Sequence, residues 1–338
     1  MFRVAVIEGD GIGPEVVSAA LKVLEKAIRL YGLKIELIKT PAGDDIAKAY
    51  GSPLPEPSWN TIKNCDAILK GPVGETAGDV VVKIRRGLDL YANIRPAKAL
   101  PGVNALRRDI DLVIVRENTE DVYLRAEYMV SEDTAVALRV ITKKASERIA
   151  RVAFELASRR RKKVTIVHKA NVLTITDGFF RSCVYRIAQS YKDVVVDEMY
   201  IDAATMDLVR KPDRFDVIVT TNLFGDILSD LAAYVSGSIG LAASANIGDE
   251  KAMFEPIHGA AFDIAGKGVA NPTAMILCTS WMLKWLGEKH NINEYTIAGE
   301  AIEKAVLDVL SKGKKLTPDL GGSSGTKEFT EEILQRLG

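Results

Sequence analysis

Short unbroken apolar runs alternate with longer stretches whose apolar residues recur at helical spacing along most of this chain. Phe2 to Ile7 is the first such run. The glycine loop Gly9-Asp-Gly-Ile-Gly-Pro-Glu15 follows it. From about Pro14 to Tyr31, Val17, Ala20, Leu21 and Leu24 then share one helical face. Apolar runs at 33–39, 67–69, 112–116, 164–168, 194–200 and 215–220 predict further strands, and helical spacing at 79–88, 145–160 and 177–190 predicts helices between them. Strands that are apolar throughout and alternate with helices predict an α/β protein with a parallel sheet covered on both faces. Residues 126–142 read as extended and predict a β-arm. After residue 240 the chain reads as loop-rich until Pro272, where a long helix begins. The two ends read as one discontinuous domain, 1–90 plus 238–338, with 91–237 inserted between them.

The sharpest polar feature is the run Asn222-Leu-Phe-Gly-Asp-Ile-Leu-Ser-Asp230, directly after the strand at 215–220. Ile227, Leu228, Leu231 and Ala232 mark an apolar side, so Asp226 and Asp230 share a helix face one turn apart. They stand at the carboxyl end of a strand, where open α/β sheets hold their ligands. Two carboxylates so placed either form a solvated face or hold a hard cation such as Mg²⁺ or Mn²⁺. Asp202, at the end of the strand at 194–200, is positioned to add a third oxygen.

Composition narrows the alternatives. With 338 residues the chain is long enough for two domains. Lys+Arg and Asp+Glu balance at 45 each, so no overall field draws in nucleic acid or an anionic membrane. Cys65, Cys183 and Cys278 are far apart in the chain, which suits reduced thiols of a cytoplasmic protein. The N-terminus enters a strand at once, without a secretory or transit pattern, and no apolar run is long enough to span a membrane. The basic run Arg159-Arg-Arg-Lys-Lys163 closes a helix, where cations suit the negative end.

Further candidates lie near predicted strand ends. The glycine loop reads as facing a ligand, but its spacing departs from the dinucleotide fingerprint, and a Rossmann fold is rejected. Arg85, Arg95 and Arg116 offer forked donors that match carboxylates, provided the fold brings them together. Tyr123 and Lys169 are candidate proton carriers. The long aperiodic stretch from Glu255 to Thr273 reads as a binding loop, with Asp263 suited to ribose hydroxyls and His258 to adenine.

Taken together, these segments resemble the β-decarboxylating dehydrogenases of 2-hydroxy acids, the isocitrate/isopropylmalate dehydrogenase family. The resemblance runs through Gly9 to Glu15, Asp89-Leu-Tyr-Ala-Asn-Ile-Arg-Pro-Ala-Lys98, Val115-Arg-Glu-Asn-Thr-Glu120, His168-Lys-Ala-Asn171, Asn222 to Asp230 and the loop 255–273. It implies a two-domain fold that is not Rossmann, with a β-arm at the interface of a homodimer. It implies substrate contacts at Arg85, Arg95 and Arg116. The metal falls on Asp226 and Asp230, with Asp202 from the partner subunit. Lys169, also from the partner, is the base and Tyr123 the proton donor. Cofactor contacts, for NAD, fall on Ile12, His258, Gly259, Asp263, Ala270 and Asn271.

The helix before Arg85 meets the group on the substrate's β-carbon in this family. Here Val81 and Val82 occupy it. Burying a methyl group gains about 0.8 kcal/mol, whereas burying an unpaired carboxylate is costly. The expected substrate is therefore a 2-hydroxy dicarboxylate with an apolar branch, 3-isopropylmalate, with isocitrate and homoisocitrate as alternatives. A non-catalytic regulatory subunit would lack some of Tyr123, Lys169, Asp202, Asp226 and Asp230, and all are present.

Overall fold

The computed structural model describes residues 1–338. The first part of the chain forms β1 (Phe2–Ile7), α1 (Gly13–Tyr31), β2 (Ile35–Lys39), α2 (Asp44–Tyr50), α3 (Glu56–Lys63), β3 (Ala67–Lys70) and α4 (Ala77–Gly87). The middle part holds β4 (Ala92–Lys98), β5 (Asp111–Glu117), β6 (Glu127–Ser131), β7 (Thr134–Ala137), α5 (Lys143–Ser158), β8 (Lys163–His168), α6 (Thr176–Ala188), β9 (Val195–Tyr200), α7 (Ile201–Arg210), β10 (Val217–Thr220) and α8 (Asn222–Val235). The last part adds β11 (Ala243–Ile247), β12 (Ala252–Pro256), α9 (Thr273–His290), α10 (Asn293–Lys312) and α11 (Thr326–Arg336).

Ten strands make one sheet in the order β2-β1-β3-β12-β11-β4-β5-β10-β8-β9. Its two wings are parallel, as the alternation of strands and helices predicts. Its centre is not: β11 runs antiparallel to β12 and to β4, and β4 runs antiparallel to β5. The centre also corrects two readings of the sequence. The stretch after residue 240, read as loop-rich without strands, contains β11 and β12, and β4 adds an unread strand over 92–98. These strands carry Asn93, Arg95, Asn246 and Glu255, whose polarity masks the strand pattern and whose side chains are nevertheless buried.

Alternate side chains of each wing enter cores on opposite faces, as the strand period of two requires. Val4 and Val6 of β1 pack with α1, α9 and α10, while Ala5 and Ile7 pack with Ile62, Val80 and Ile84. In the other wing Val113, Val115, Val217 and Val219 meet α5 and α6, and Ile114 and Ile218 meet Leu208 of α7 and Leu228 of α8. The helix ends follow local chemistry: Pro14 lies in the first turn of α1, and Gly32 ends that helix in the left-handed conformation at φ 63°. The strands β6 and β7 pair only with each other, forming an exposed hairpin over the predicted arm. No helix is long and apolar enough to cross a membrane, and all three cysteines are buried free thiols.

Candidate active site

β10 is fully buried, and α8 starts two residues after it ends. The first turns of α8 therefore stand at the carboxyl edge of the sheet, carrying Asp226 and Asp230. Arg95 and Arg116 reach them from the adjacent strands β4 and β5. Arg95 Nη1 lies 3.1 Å from Asp226 and 3.6 Å from Asp230, and donates to Ser229 Oγ at 2.6 Å. Arg116 pairs with the same Asp226 oxygen and donates from Nε and Nη2 to Asn222 Oδ1 at 2.9 and 2.7 Å. The Tyr123 hydroxyl donates to the other oxygen of Asp226, and the Arg116 guanidinium lies 5.0 Å from the Tyr123 ring centre. Gly225 permits this packing, because a Cβ there would meet Arg116 Cγ at 2.6 Å.

Charge follows from this geometry. Burial pushes the Asp226 carboxyl up, but Arg116, Arg95 and Tyr123 outweigh it and hold it below the usual range. Asp230 is raised, by burial first and despite Arg95, with Asp226 adding to the rise. Burial also raises Tyr123, with Asp226 contributing, so its phenol keeps its proton at neutral pH. Burial and the neighbouring Arg95 draw Arg116 down to about 10, which leaves it charged.

Arg85, on α4, donates to Glu255 Oε1 at 2.8 Å, and Lys70, at the end of β3, pairs with Glu255 Oε2 at 2.9 Å. All three are buried. Burial alone would raise Glu255, but the two cations hold it well below the usual carboxylate range. Asn246 Nδ2 donates to Glu255 Oε1 at 2.8 Å, Asn93 Nδ2 donates to Asn246 Oδ1 at 2.6 Å, and Arg95 Nε donates to Asn93 Oδ1 at 2.8 Å. A continuous buried network thus crosses the antiparallel centre of the sheet and links Arg85 to Arg95. Sequence reasoning assigned no role to Lys70, Glu255, Asn93 or Asn246. Their signal was a polar residue inside or ending an otherwise apolar strand.

A cavity of about 220 Å³ opens among these groups, lined by Arg85, Arg95, Arg116, Tyr123, Asp226, Val81, Val82, His258 and Gly259. The fold thus brings the three arginines and the valine pair to one place. A larger groove of about 730 Å³ lies elsewhere, among Asp89, Tyr91, Lys143, Glu147 and Arg148, and contains none of them. Lys169 and Asp202 do not line the cavity either. Lys169 follows β8, Asp202 lies in the first turn of α7 rather than at a bare strand end, and they pair at 2.6 Å. Within one chain no three His, Cys, Asp or Glu side chains come together as a metal cage.

The loop residues divide. His258 is buried, and its Nε2 has no hydrogen-bond partner, while Nδ1 lies 3.1 Å from Gly259 O. Gly259 is exposed, and a Cβ there would touch nothing. Asp263 is exposed on its loop. Ile12, Ala270 and Asn271 are buried outside the cavity. The Ile12 amide donates to Ala260 O, the Ala270 amide to Glu15 Oε1, and Asn271 Nδ2 to Asp319 Oδ2. The glycine loop packs tightly against its neighbours. Gly9 and Gly11 have φ of 73° and 59°, and a Cβ would strike Pro72 O and Ala260 O. These two glycines allow close backbone packing within the protein.

The isocitrate/isopropylmalate dehydrogenase family model matches residues 3–333. The chain belongs to this family. It is 53% identical to a 3-isopropylmalate dehydrogenase of Saccharolobus solfataricus over 99% of both chains. It is 49% identical to an isocitrate/homoisocitrate dehydrogenase of Thermus thermophilus over 99% of this chain and 98% of the relative. The crystal structure of an isocitrate dehydrogenase from Methylococcus capsulatus superposes with a TM-score of 0.93 at 44% identity, covering 100% of this chain and 99% of that one. Family membership makes the chain a dehydrogenase acting on a small molecule. Relatives of both substrate types stand at similar identity, so the substrate must be argued from the cavity.

Proposed function

We propose that this chain carries out the NAD-dependent oxidative decarboxylation of 3-isopropylmalate, as in leucine biosynthesis, in a cytoplasmic homodimer whose two active sites share residues. One observation carries the substrate assignment. Val81 and Val82 line the cavity wall one turn before Arg85, and the cavity's one cation besides Arg85, Arg95 and Arg116 is Lys70, which is paired with Glu255. The substrate's two carboxylates are matched to Arg85, Arg95 and Arg116, and its branch meets the valines. A third carboxylate would lie against methyl groups.

The donor set fits a hard divalent cation. Asp226 and Asp230 stand one turn apart, and Asp230 is raised by burial and by its neighbour's charge, a repulsion that a cation between them relieves. Asp226 and Asp230 would hold Mg²⁺ or Mn²⁺ with Asp202 of the partner subunit. The ion supplies Lewis acidity that stabilises charge on the substrate oxygen as CO₂ leaves. Arg95 and Arg116 release Asp226 to take a substrate carboxylate. Lys169 of the partner subunit would take the proton of the C2 hydroxyl, and NAD, when bound, would supply the acceptor for the C2 hydride. After the C–C bond to the departing carboxylate breaks, Tyr123, still protonated, gives its proton to carbon.

The unpartnered Nε2 of buried His258 and the open face at Gly259 fit a bound dinucleotide beside the substrate cavity. Asp263 is placed to accept from its ribose hydroxyls. Ile12, Ala270 and Asn271 would act through van der Waals contact or after exchanging present hydrogen bonds. The dimer is supported by the separation of Lys169 and Asp202 from the cavity and by exposed apolar residues on the same wing. Ile175 is 84% exposed, and Met206, Val209, Ile227 and Tyr234 are also exposed. The test is stoichiometric: with Mg²⁺, 3-isopropylmalate should yield equal NADH and CO₂. NADH without CO₂, or neither, would overturn the reading.

A further inference from the structure

Behind the substrate cavity, three loops leave neighbouring strands at the same edge of the sheet. The turn bearing Tyr123 follows β5, Lys169 follows β8, and α8 follows β10, which lies between those two strands. One side chain from outside these loops joins all three. Arg139 stands two residues past β7, at the base of the exposed hairpin. Its Nε donates to Asp121 Oδ1 at 2.7 Å and its Nη2 to Asp121 Oδ2 at 3.3 Å. Nη1 donates to Asp177 Oδ1, and Nη2 also to Thr221 Oγ1 at 2.6 Å. The guanidinium lies 4.5 Å from the Phe224 ring centre.

The two carboxylates pass this anchoring on to the backbone. Asp121 is fully buried at φ 70°, two residues before Tyr123. Its oxygens accept the amides of Val122 at 2.9 Å and Leu223 at 3.1 Å. Asp177, also fully buried, accepts the amide of Lys169 at 2.6 Å. Each carboxylate sits at a helix N-terminus, Asp121 against α8 and Asp177 in the first turn of α6, where backbone amides favour negative charge. One cation facing two buried anions requires a forked group, because an ammonium acts as a point charge and cannot span three acceptors on separate segments.

We infer that Arg139, Asp121 and Asp177 form a positioning clamp that fixes Tyr123 and Lys169 relative to the carboxylates of α8. The inference rests on the roles proposed above for Tyr123 and Lys169. Since Tyr123 would serve its own subunit's site and Lys169 the partner's, each clamp contributes to both sites of the dimer. None of its three members lines the cavity.

The test compares wild type with R139K, D121N and D177N. The readouts are the kcat and KM of the dimer and the amide exchange of Val122, Lys169 and Leu223. Misplacement of a reacting group by about 1 Å costs on the order of 10²-fold. R139K should therefore lower kcat by about that factor while the KM for NAD stays near wild type, and exchange should quicken at all three amides. D177N should quicken exchange chiefly at Lys169, and D121N at Val122 and Leu223, so either replaces R139K if that variant does not fold. Unchanged protection at these amides would overturn the clamp. So would wild-type kcat despite lost protection, or a loss of activity that only follows dissociation of the dimer. A wild type that oxidises no 2-hydroxy acid would defeat the functional reading alone, since the amides still decide the clamp.

Discussion

Single groups in this site are set by competition between burial and neighbours. Glu120, in the segment before Tyr123, shows burial winning: its carboxyl is pushed up to about 7, although it accepts the Thr142 amide at 2.8 Å. In the unfolded chain it would ionise near 4.5. Its contribution to stability is therefore fully present below about 4.5 and is lost as pH rises through about 7. Glu120→Gln keeps an acceptor for Thr142 and never ionises. Its melting temperature should exceed that of wild type by a margin that grows as pH rises through this range, and a constant margin would refute the assignment. Asp263 acts differently, as an exposed side chain on the loop proposed to hold the cofactor. It should favour ribose hydroxyls and repel a 2′-phosphate, so kcat/KM should be much higher with NAD than with NADP. Equal values would show that Asp263 does not face the ribose.

Elements set what these groups can reach. α4 presents Val81, Val82 and Arg85 to the cavity together. Val82→Arg adds a cation to the wall, so it should weaken 3-isopropylmalate and improve homoisocitrate; a variant with unchanged preference would remove α4 from specificity. The wings of the sheet were legible because Val4 to Ile7, Leu112 to Val115 and Val217 to Val219 are apolar on both faces. The centre was not. In β4, β11 and β12 the buried positions hold Asn93, Arg95, Asn246 and Glu255, which satisfy one another. A sequence does not show that a polar residue is buried when the network that satisfies it closes through a distant partner, as Asn93 does with Asn246, 153 positions away. Separation along the chain likewise hid the pairing of Arg85 with Glu255, 170 positions apart, and the grip of Arg139 on Asp177, 38 positions apart. The Asp226 and Asp230 pair was legible because helix spacing alone places both on one face.

At the scale of the whole molecule, the cores divide much as the chain does. One pair of cores is built almost wholly from the two ends and the other from the middle. We propose the division 1–90 plus 238–338 and 91–237, with the cavity between the parts and the polar centre of the sheet joining them. The proposed sharing of sites between subunits makes a quantitative prediction. Tyr123→Phe and Lys169→Met homodimers should each lose roughly 10²–10⁴-fold in kcat. In a mixed dimer one site would carry both substitutions and the other neither, so mixing the two inactive proteins should restore activity once subunits exchange. No recovery in a confirmed heterodimer would mean that each site is built from one chain.

The most direct test of the account is the ratio of kcat/KM for 3-isopropylmalate to that for isocitrate, measured with NAD and Mg²⁺. The valine wall leaves a third carboxylate without a cation, a penalty of several kcal/mol that corresponds to roughly 10²-fold or more. The account predicts a preference for 3-isopropylmalate of at least about that size. Equal turnover of the two acids would contradict it, because a cation from outside the cavity would then have to reach the branch of the substrate.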